Sequence, residues 1–148
     1  MILVDTNLLG RMTNSADPQC GLTRQAVHVL LMRHERLIIF PQNLYEFWAV
    51  ATRKSGPPPA GQNGLGMTCE QASQWLGFFQ RRFTLLPDRS ELFACWHSLV
   101  KALGIKGIKS YDARLAAAMQ TYGISRLLTF NVGDFKNFSI TIIDPSSI

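Results

Sequence analysis

Cysteine is scarce in this 148-residue chain, which has only Cys20, Cys69 and Cys95. An odd number at wide spacings, with neither a CxxC pair nor nearby histidines, excludes a disulfide scaffold and a zinc site of the usual ligand spacing. The three are expected to be reduced, buried thiols. Long apolar runs are also lacking. Stretches such as Ile2 to Val4 and Leu37 to Phe40 last only a few residues, whereas a membrane-spanning helix needs about 20. No basic leader or apolar stretch of signal-peptide length precedes Ile2, so a cytoplasmic location without a membrane partner is expected. Charged residues make up 17% of the chain against 47% hydrophobic. That balance excludes a disordered chain and implies a packed core, which a single domain over residues 1–148 is long enough to bury.

Nucleotide-binding loops are missing as well. No GxGxxG follows the first apolar run. Gly56 and Gly61 have the glycine spacing of a phosphate-binding loop, but Gln62 and Asn63 stand where Lys and Ser or Thr are required. The prolines between those glycines have no N–H to offer a phosphate.

What the sequence does contain is an alternation of two patterns. Short apolar runs occur at Ile2 to Val4, Leu37 to Phe40, Phe83 to Leu86, Leu127 to Phe130 and Ile140 to Ile143. Helical stripes lie between them: Ala26, Val29, Leu30 and Arg33, and Trp75, Phe78, Phe79 and Arg82, keep i, i+3, i+4, i+7 spacing. The order predicts an α/β fold with a mainly parallel five-stranded sheet. The segment from Arg53 to Thr68, with Pro57 to Pro59 and four glycines, propagates neither element and is expected to be a long loop or hairpin-like projection.

In a parallel sheet the C-terminal strand ends and the N-termini of the following helices share one edge, where ligands bind. Four acids map to that edge. Asp5 ends the first strand, and Glu46 follows the second on a helix expected to begin near Asn43. Asp112 begins a helix running from Ser110 to Tyr122, and Asp134 follows the fourth strand. Each has a local reading as a cap, a capping-box partner or a helix-dipole complement. Together, four carboxylates in one pocket repel each other unless a cation neutralises them. Oxygen ligands without His or Cys favour Mg²⁺, or Mn²⁺, over zinc. Setting those four aside leaves six acids against fifteen Lys and Arg, a surplus of nine positive charges that suits a nucleic acid.

At these residues the chain resembles PIN-domain proteins of the VapC toxin type. The resemblance is carried by Ile2-Leu-Val-Asp-Thr-Asn-Leu-Leu9, Pro41-Gln-Asn-Leu-Tyr-Glu46, Tyr111-Asp-Ala-Arg-Leu-Ala-Ala-Ala118 and Leu127-Leu-Thr-Phe-Asn-Val-Gly-Asp-Phe135, and it spans nearly the whole chain. It implies a three-layer α/β/α sandwich, Asp5, Glu46 and Asp112 as metal ligands, and Asn7 and Thr129 as polar residues orienting Asp5. At the fourth position many relatives carry an acid where this chain has Asn131, and others carry it three residues later, at Asp134. We expect Asp134 to complete the pocket and Asn131 to orient a carboxylate or a water. The resemblance further implies cleavage of structured RNA such as transfer RNA, silencing by a cognate antitoxin, and a homodimer.

Arg114 lies close enough to the edge either to meet an RNA phosphate or to be a solvated helix charge. Arg53 and Lys54, at the start of the loop, are open to RNA contact, partner contact or solvation. His28, His34 and His97 share no metal-site spacing and receive no catalytic role. Trp48, Trp75, Phe78, Phe79 and Trp96 are expected in the core rather than as base-stacking platforms. The sequence thus points to a Mg²⁺-dependent endoribonuclease acting as a toxin. A non-catalytic RNA-binding or interaction module of the same fold, or a metal-dependent phosphatase, is the alternative.

Overall fold

The computed structural model describes all residues from Met1 to Ile148. Five strands, β1 (Ile2–Val4), β2 (Leu37–Ile39), β3 (Thr84–Leu85), β4 (Arg126–Leu128) and β5 (Thr141–Ile143), form one sheet in the order β3-β2-β1-β4-β5. Every pairing is parallel. Each of the five apolar runs read from the sequence overlaps one of these strands, and β4 starts one residue before its run, at Arg126.

The period-two alternation of strand side chains builds two cores. Ile2, Val4, Leu37, Ile39 and Leu128 face one side and pack with Leu8, Leu9, Val27, Phe47 and Phe79. These partners lie on α1 (Thr6–Thr13), α2 (Cys20–Met32), α3 (Pro41–Thr52) and α4 (Cys69–Arg82). Leu3, Ile38 and Leu127 face the other side, against Leu92, Leu115, Ala118 and Met119, from α5 (Leu92–Leu103) and α6 (Lys109–Thr121). The outcome is the expected α/β/α sandwich. No helix is long and apolar enough to cross a membrane.

Local chemistry sets where α3 begins, and it begins earlier than expected. Pro41 occupies the first turn, where its missing N–H is harmless, and the extended Phe40 serves as the cap residue. The Asn43 side chain reaches back to accept from the Phe40 N–H at 2.7 Å, while the Asn43 N–H donates to the Phe40 carbonyl at 3.0 Å. Asn43 is therefore inside the first turn rather than at the cap, and Glu46 takes no part in capping. At α4, Thr68 and Gln71 form a reciprocal capping box.

The segment 53–68 folds back rather than projecting. Backbone bonds from Gln62 and Gly64 to the Lys54 carbonyl, from Gly66 to Arg53 and from Leu65 to Val50 lay it along the end of α3. The approach is close enough that a Cβ on Gly61 would run into the carbonyls of Ser55 and Gly56. Of the thiols, only Cys20 is buried; Cys95 is half-buried and Cys69 exposed, all three free. Cys69 is the first residue of α4, on a turn facing solvent, which composition alone could not reveal.

Candidate active site

From β1 the chain proceeds outward through β2 to β3, then returns to place β4 on the opposite side of β1. The boundary between β1 and β4 is thus the point at which the strand order reverses, where open α/β sheets leave a crevice. Asp5 follows β1 and Thr129 follows β4, so both stand at this boundary.

Asp5 is 7% exposed. One of its oxygens, Oδ2, accepts from the Thr129 hydroxyl at 2.6 Å and from Asn7 Nδ2 at 2.6 Å. The Thr129 oxygen itself accepts from Asn7 Nδ2 at 3.0 Å and from the Asn131 backbone N–H at 2.9 Å. With both acceptor roles filled, the single hydroxyl proton points at Asp5. Burial nonetheless dominates and raises the Asp5 pKa from its ordinary 3.8 to about 6, opposed by the bonds from Thr129 and the Thr6 backbone and reinforced by the charges of Glu46 and Asp112.

Glu46 sits on the second turn of α3. Its Oε2 accepts from the Thr6 hydroxyl at 2.7 Å and its Oε1 from Gln42 Nε2 at 2.7 Å. Thr6 is in turn fixed by Asn43 Nδ2 at 3.2 Å. Asp112, in the first turn of α6, has its pKa raised by burial, then by the negative charges of Asp134 and Glu46, with Lys109 opposing. Asp134 lies within a short helical turn, α7 (Val132–Phe135), with Asn131 at the cap position but making no side-chain capping bond. It is exposed and meets Lys109 Nζ at 3.7 Å. The turn needs no left-handed glycine, because Gly133 is absent from the residues with positive φ. Nor does Asp134 cap a helix beginning near Phe135, because that helix begins at Val132.

Glu46, Asp112 and Asp134 line one cleft of about 750 Å³, with Thr6, Asn7, Arg11, Arg53 and Lys109 on its walls. Asp5 is buried and does not line the cleft, but it is bonded to Asn7, which does. Asn131 does not line the cleft. The side chains are spread along the cleft rather than drawn to a point, and no three acidic, His or Cys groups stand at shared ligand distance. Their chemistry still suits a hard divalent cation. All the donors are oxygens, Asp5 and Asp112 are each destabilised as anions by burial and then by neighbouring acids, and Lys109, at Asp134, is the one cation in a salt bridge with any of the four. The buried Asn7 Oδ1 is also left without a hydrogen-bond partner.

Arg53 borders the cleft and is exposed, and Lys54 is exposed beside it. Arg114 is half-buried, and its terminal nitrogens bond Gln42 Oε1 at 2.8 Å and Asp88 Oδ2 at 2.6 Å. None of the three histidines lines the cleft. Of the aromatics, Phe79 is buried and Phe78 is 36% exposed; Trp48, Trp75 and Trp96 are half-buried. Sequence reasoning missed Gln42, Thr6 and Asn43. The i, i+4 spacing of Gln42 and Glu46 on a helix was the one available signal.

No protein-family model matches this sequence, and no curated protein does. Solved structures do match over nearly the full length. A chain of VapBC2 from Rickettsia felis, bound to a DNA fragment from its promoter, superposes with a TM-score of 0.66 at 18% identity, covering 97% of this chain and 98% of that one. FitAcB from Neisseria gonorrhoeae gives 0.67 at 17% identity, with 100% of both chains covered. VapC20 from Mycobacterium tuberculosis, described as a Sarcin-Ricin loop cleaving toxin, gives 0.64 at 16% identity over 93% of this chain and 95% of that one. At such identities the likeness establishes the fold: this chain has the PIN-like fold that its sequence motifs suggested.

Proposed function

We propose that this chain is a divalent-metal-dependent endoribonuclease, the toxin of a type II toxin-antitoxin pair, acting in the cytoplasm on structured RNA such as transfer RNA. One observation carries the reading. Four acids from four separate elements lie along one edge of the sheet, and burial and mutual repulsion raise the pKa of two of them, an arrangement that costs stability unless a cation is bound. Proteins of the same fold include one described as a Sarcin-Ricin loop cleaving toxin and one described as a toxin-antitoxin complex.

Asp5, Glu46, Asp112 and Asp134 are the residues that would hold Mg²⁺ or Mn²⁺, which when bound supplies polarisation of a phosphate and activation of water. The chain's own contribution is orientation. Asn7 and Thr129 fix the Asp5 carboxylate, Thr6 and Gln42 fix Glu46, and Arg53 with Lys109 places positive charge along the rim for flanking phosphates. Hydrolysis by this site adds water across one phosphodiester and separates two RNA fragments. A cognate antitoxin and a second copy of the chain are the proposed partners. The purified protein is expected to cut transfer RNA with millimolar Mg²⁺ or Mn²⁺ and to stop when the ion is chelated. Binding without cutting would establish the non-catalytic reading. Hydrolysis of small phosphomonoesters with RNA left intact would establish the phosphatase reading.

The fourth acid has its own test. Asp134 lines the cleft and presses its charge on Asp112, whereas the Asn131 side chain makes no capping bond and stands outside. Asp134→Asn is expected to raise the Mg²⁺ concentration for half-maximal cleavage by about tenfold, while Asn131→Ala changes it by less than about threefold. The reverse order, read from Mg²⁺ titrations of both variants, would make the pocket a three-acid site.

A further inference from the structure

Arg114 stands outside the acidic cleft yet is tied to it. It lies on α6 two residues after Asp112, half-buried, with one terminal nitrogen on Asp88 Oδ2 at 2.6 Å and the other on Gln42 Oε1 at 2.8 Å. Gln42 is 5% exposed. Its amide nitrogen donates to Glu46 Oε1 at 2.7 Å and to the Tyr111 carbonyl at 2.9 Å. Both ends of the Gln42 amide are thereby engaged.

A glutamine amide presents an acceptor at one end and donors at the other, and turning it over exchanges them. An arginine has donors only. Arg114 therefore can donate only to the amide oxygen, which must lie on its side, and this forces the NH₂ toward Glu46. The reversed amide would set its oxygen against the Glu46 carboxylate and the Tyr111 carbonyl, acceptor against acceptor, while leaving its NH₂ against the guanidinium. Asp88 anchors the far side of that guanidinium, and Thr6 holds the other Glu46 oxygen at 2.7 Å. These two bonds use about half of the roughly four lone-pair sites of the Glu46 carboxylate.

We propose that Arg114 is a positioning residue that, acting through the Gln42 amide, holds Glu46 with its remaining lone pairs facing the cleft. The inference rests on the metal-dependent nuclease reading and deepens it. It also assigns Arg114 a task other than RNA contact, and it links the loop carrying Asp88 to the metal-binding carboxylates.

The test compares wild type, Arg114→Met, Gln42→Met and the double variant in two measurements: Mn²⁺ affinity by calorimetry without RNA, and RNA affinity across a salt series without divalent ion. Each single variant is expected to weaken Mn²⁺ binding by about tenfold. The double variant should be no weaker than the worse single one, because both break the same chain of bonds. The slope of log RNA affinity against log salt should stay at its wild-type value, whereas an arginine bound to phosphate would lower it by about one. Multiplicative losses of about 100-fold in the double variant, or a slope reduced by one, would overturn the assignment. Should Arg114→Met fail to fold, Asp88→Asn removes only the exposed anchor and is expected to weaken Mn²⁺ binding severalfold; wild-type affinity there would equally overturn it. A wild type that binds no Mn²⁺ overturns the nuclease reading and this inference with it. Mn²⁺ binding by the wild type with unaltered affinity in the variants overturns this inference alone.

Discussion

Asp5→Asn and Asp112→Asn are each expected to lower the rate of RNA cleavage by on the order of 10³-fold or more, about 4 kcal/mol of the barrier, without loss of the fold. The substitution removes one oxygen's worth of charge and almost no volume. At Asp5 the Thr129 and Asn7 donors would still be satisfied, because an amide oxygen can accept from both as the carboxylate Oδ2 does. What disappears is the negative charge that holds a divalent ion. Rates should be measured on transfer RNA at saturating Mg²⁺, with circular dichroism to verify the fold. Cleavage at the wild-type rate by both variants would remove Asp5 and Asp112 from the chemistry.

The second large effect is on stability, and it runs in the opposite direction. The Asp5 carboxyl is raised from 3.8 to about 6 in the folded protein. Between those values the folded state binds more protons than the unfolded one, so metal-free stability falls as pH rises through the window. A rise of that size is worth about 3 kcal/mol, fully expressed above pH 6 and absent below about pH 4. Asp5→Asn, which has no such charge to desolvate, should therefore unfold at higher urea than the metal-free wild type at pH 7.5, with the gap closing toward pH 4. Mg²⁺ or Mn²⁺ should raise the wild type's midpoint and leave the variant nearly unmoved, since a ligand stabilises only the state that binds it. Urea melts of both proteins at the two pH values, with and without the ion, provide the measurement. A wild type whose stability is flat from pH 4 to 7.5 without metal would mean that the buried carboxylate carries no such penalty. With the expected fall in stability, activity and stability trade against each other at one residue, as befits a site assembled from like charges.

Much of this arrangement was legible in the sequence. Two kinds of local pattern, apolar runs of strand length and stripes of helical period, were enough to place all five strands and the α/β class. The rule that parallel strands deliver their C-terminal ends to one edge was enough to bring Asp5, Glu46, Asp112 and Asp134 to the same region. The motif resemblance added Asn7 and Thr129, which contact Asp5 directly. These inferences succeed because each depends on a residue's place relative to its own element.

What the sequence left undecided depends on partners brought together by the fold. Arg114 stood open between phosphate and solvent, and its actual contacts, Gln42 and Asp88, lie 72 and 26 positions away. Asn43 was read as a cap for Glu46's helix, but Pro41 starts the helix two residues earlier, leaving Asn43 to bind Phe40 and Thr6. Cys69 was expected to be buried and is exposed, because it opens a helix whose core contacts begin at Ala72. Whether Asp134 or Asn131 points into the cleft is decided by one turn of helix after β4, whose rotation puts the third residue of the turn, not its cap, on the side of Asp112. Periodicity and capping are properties of neighbours in the chain, whereas the choice of hydrogen-bond partner and the direction of a side chain are settled only when distant elements pack.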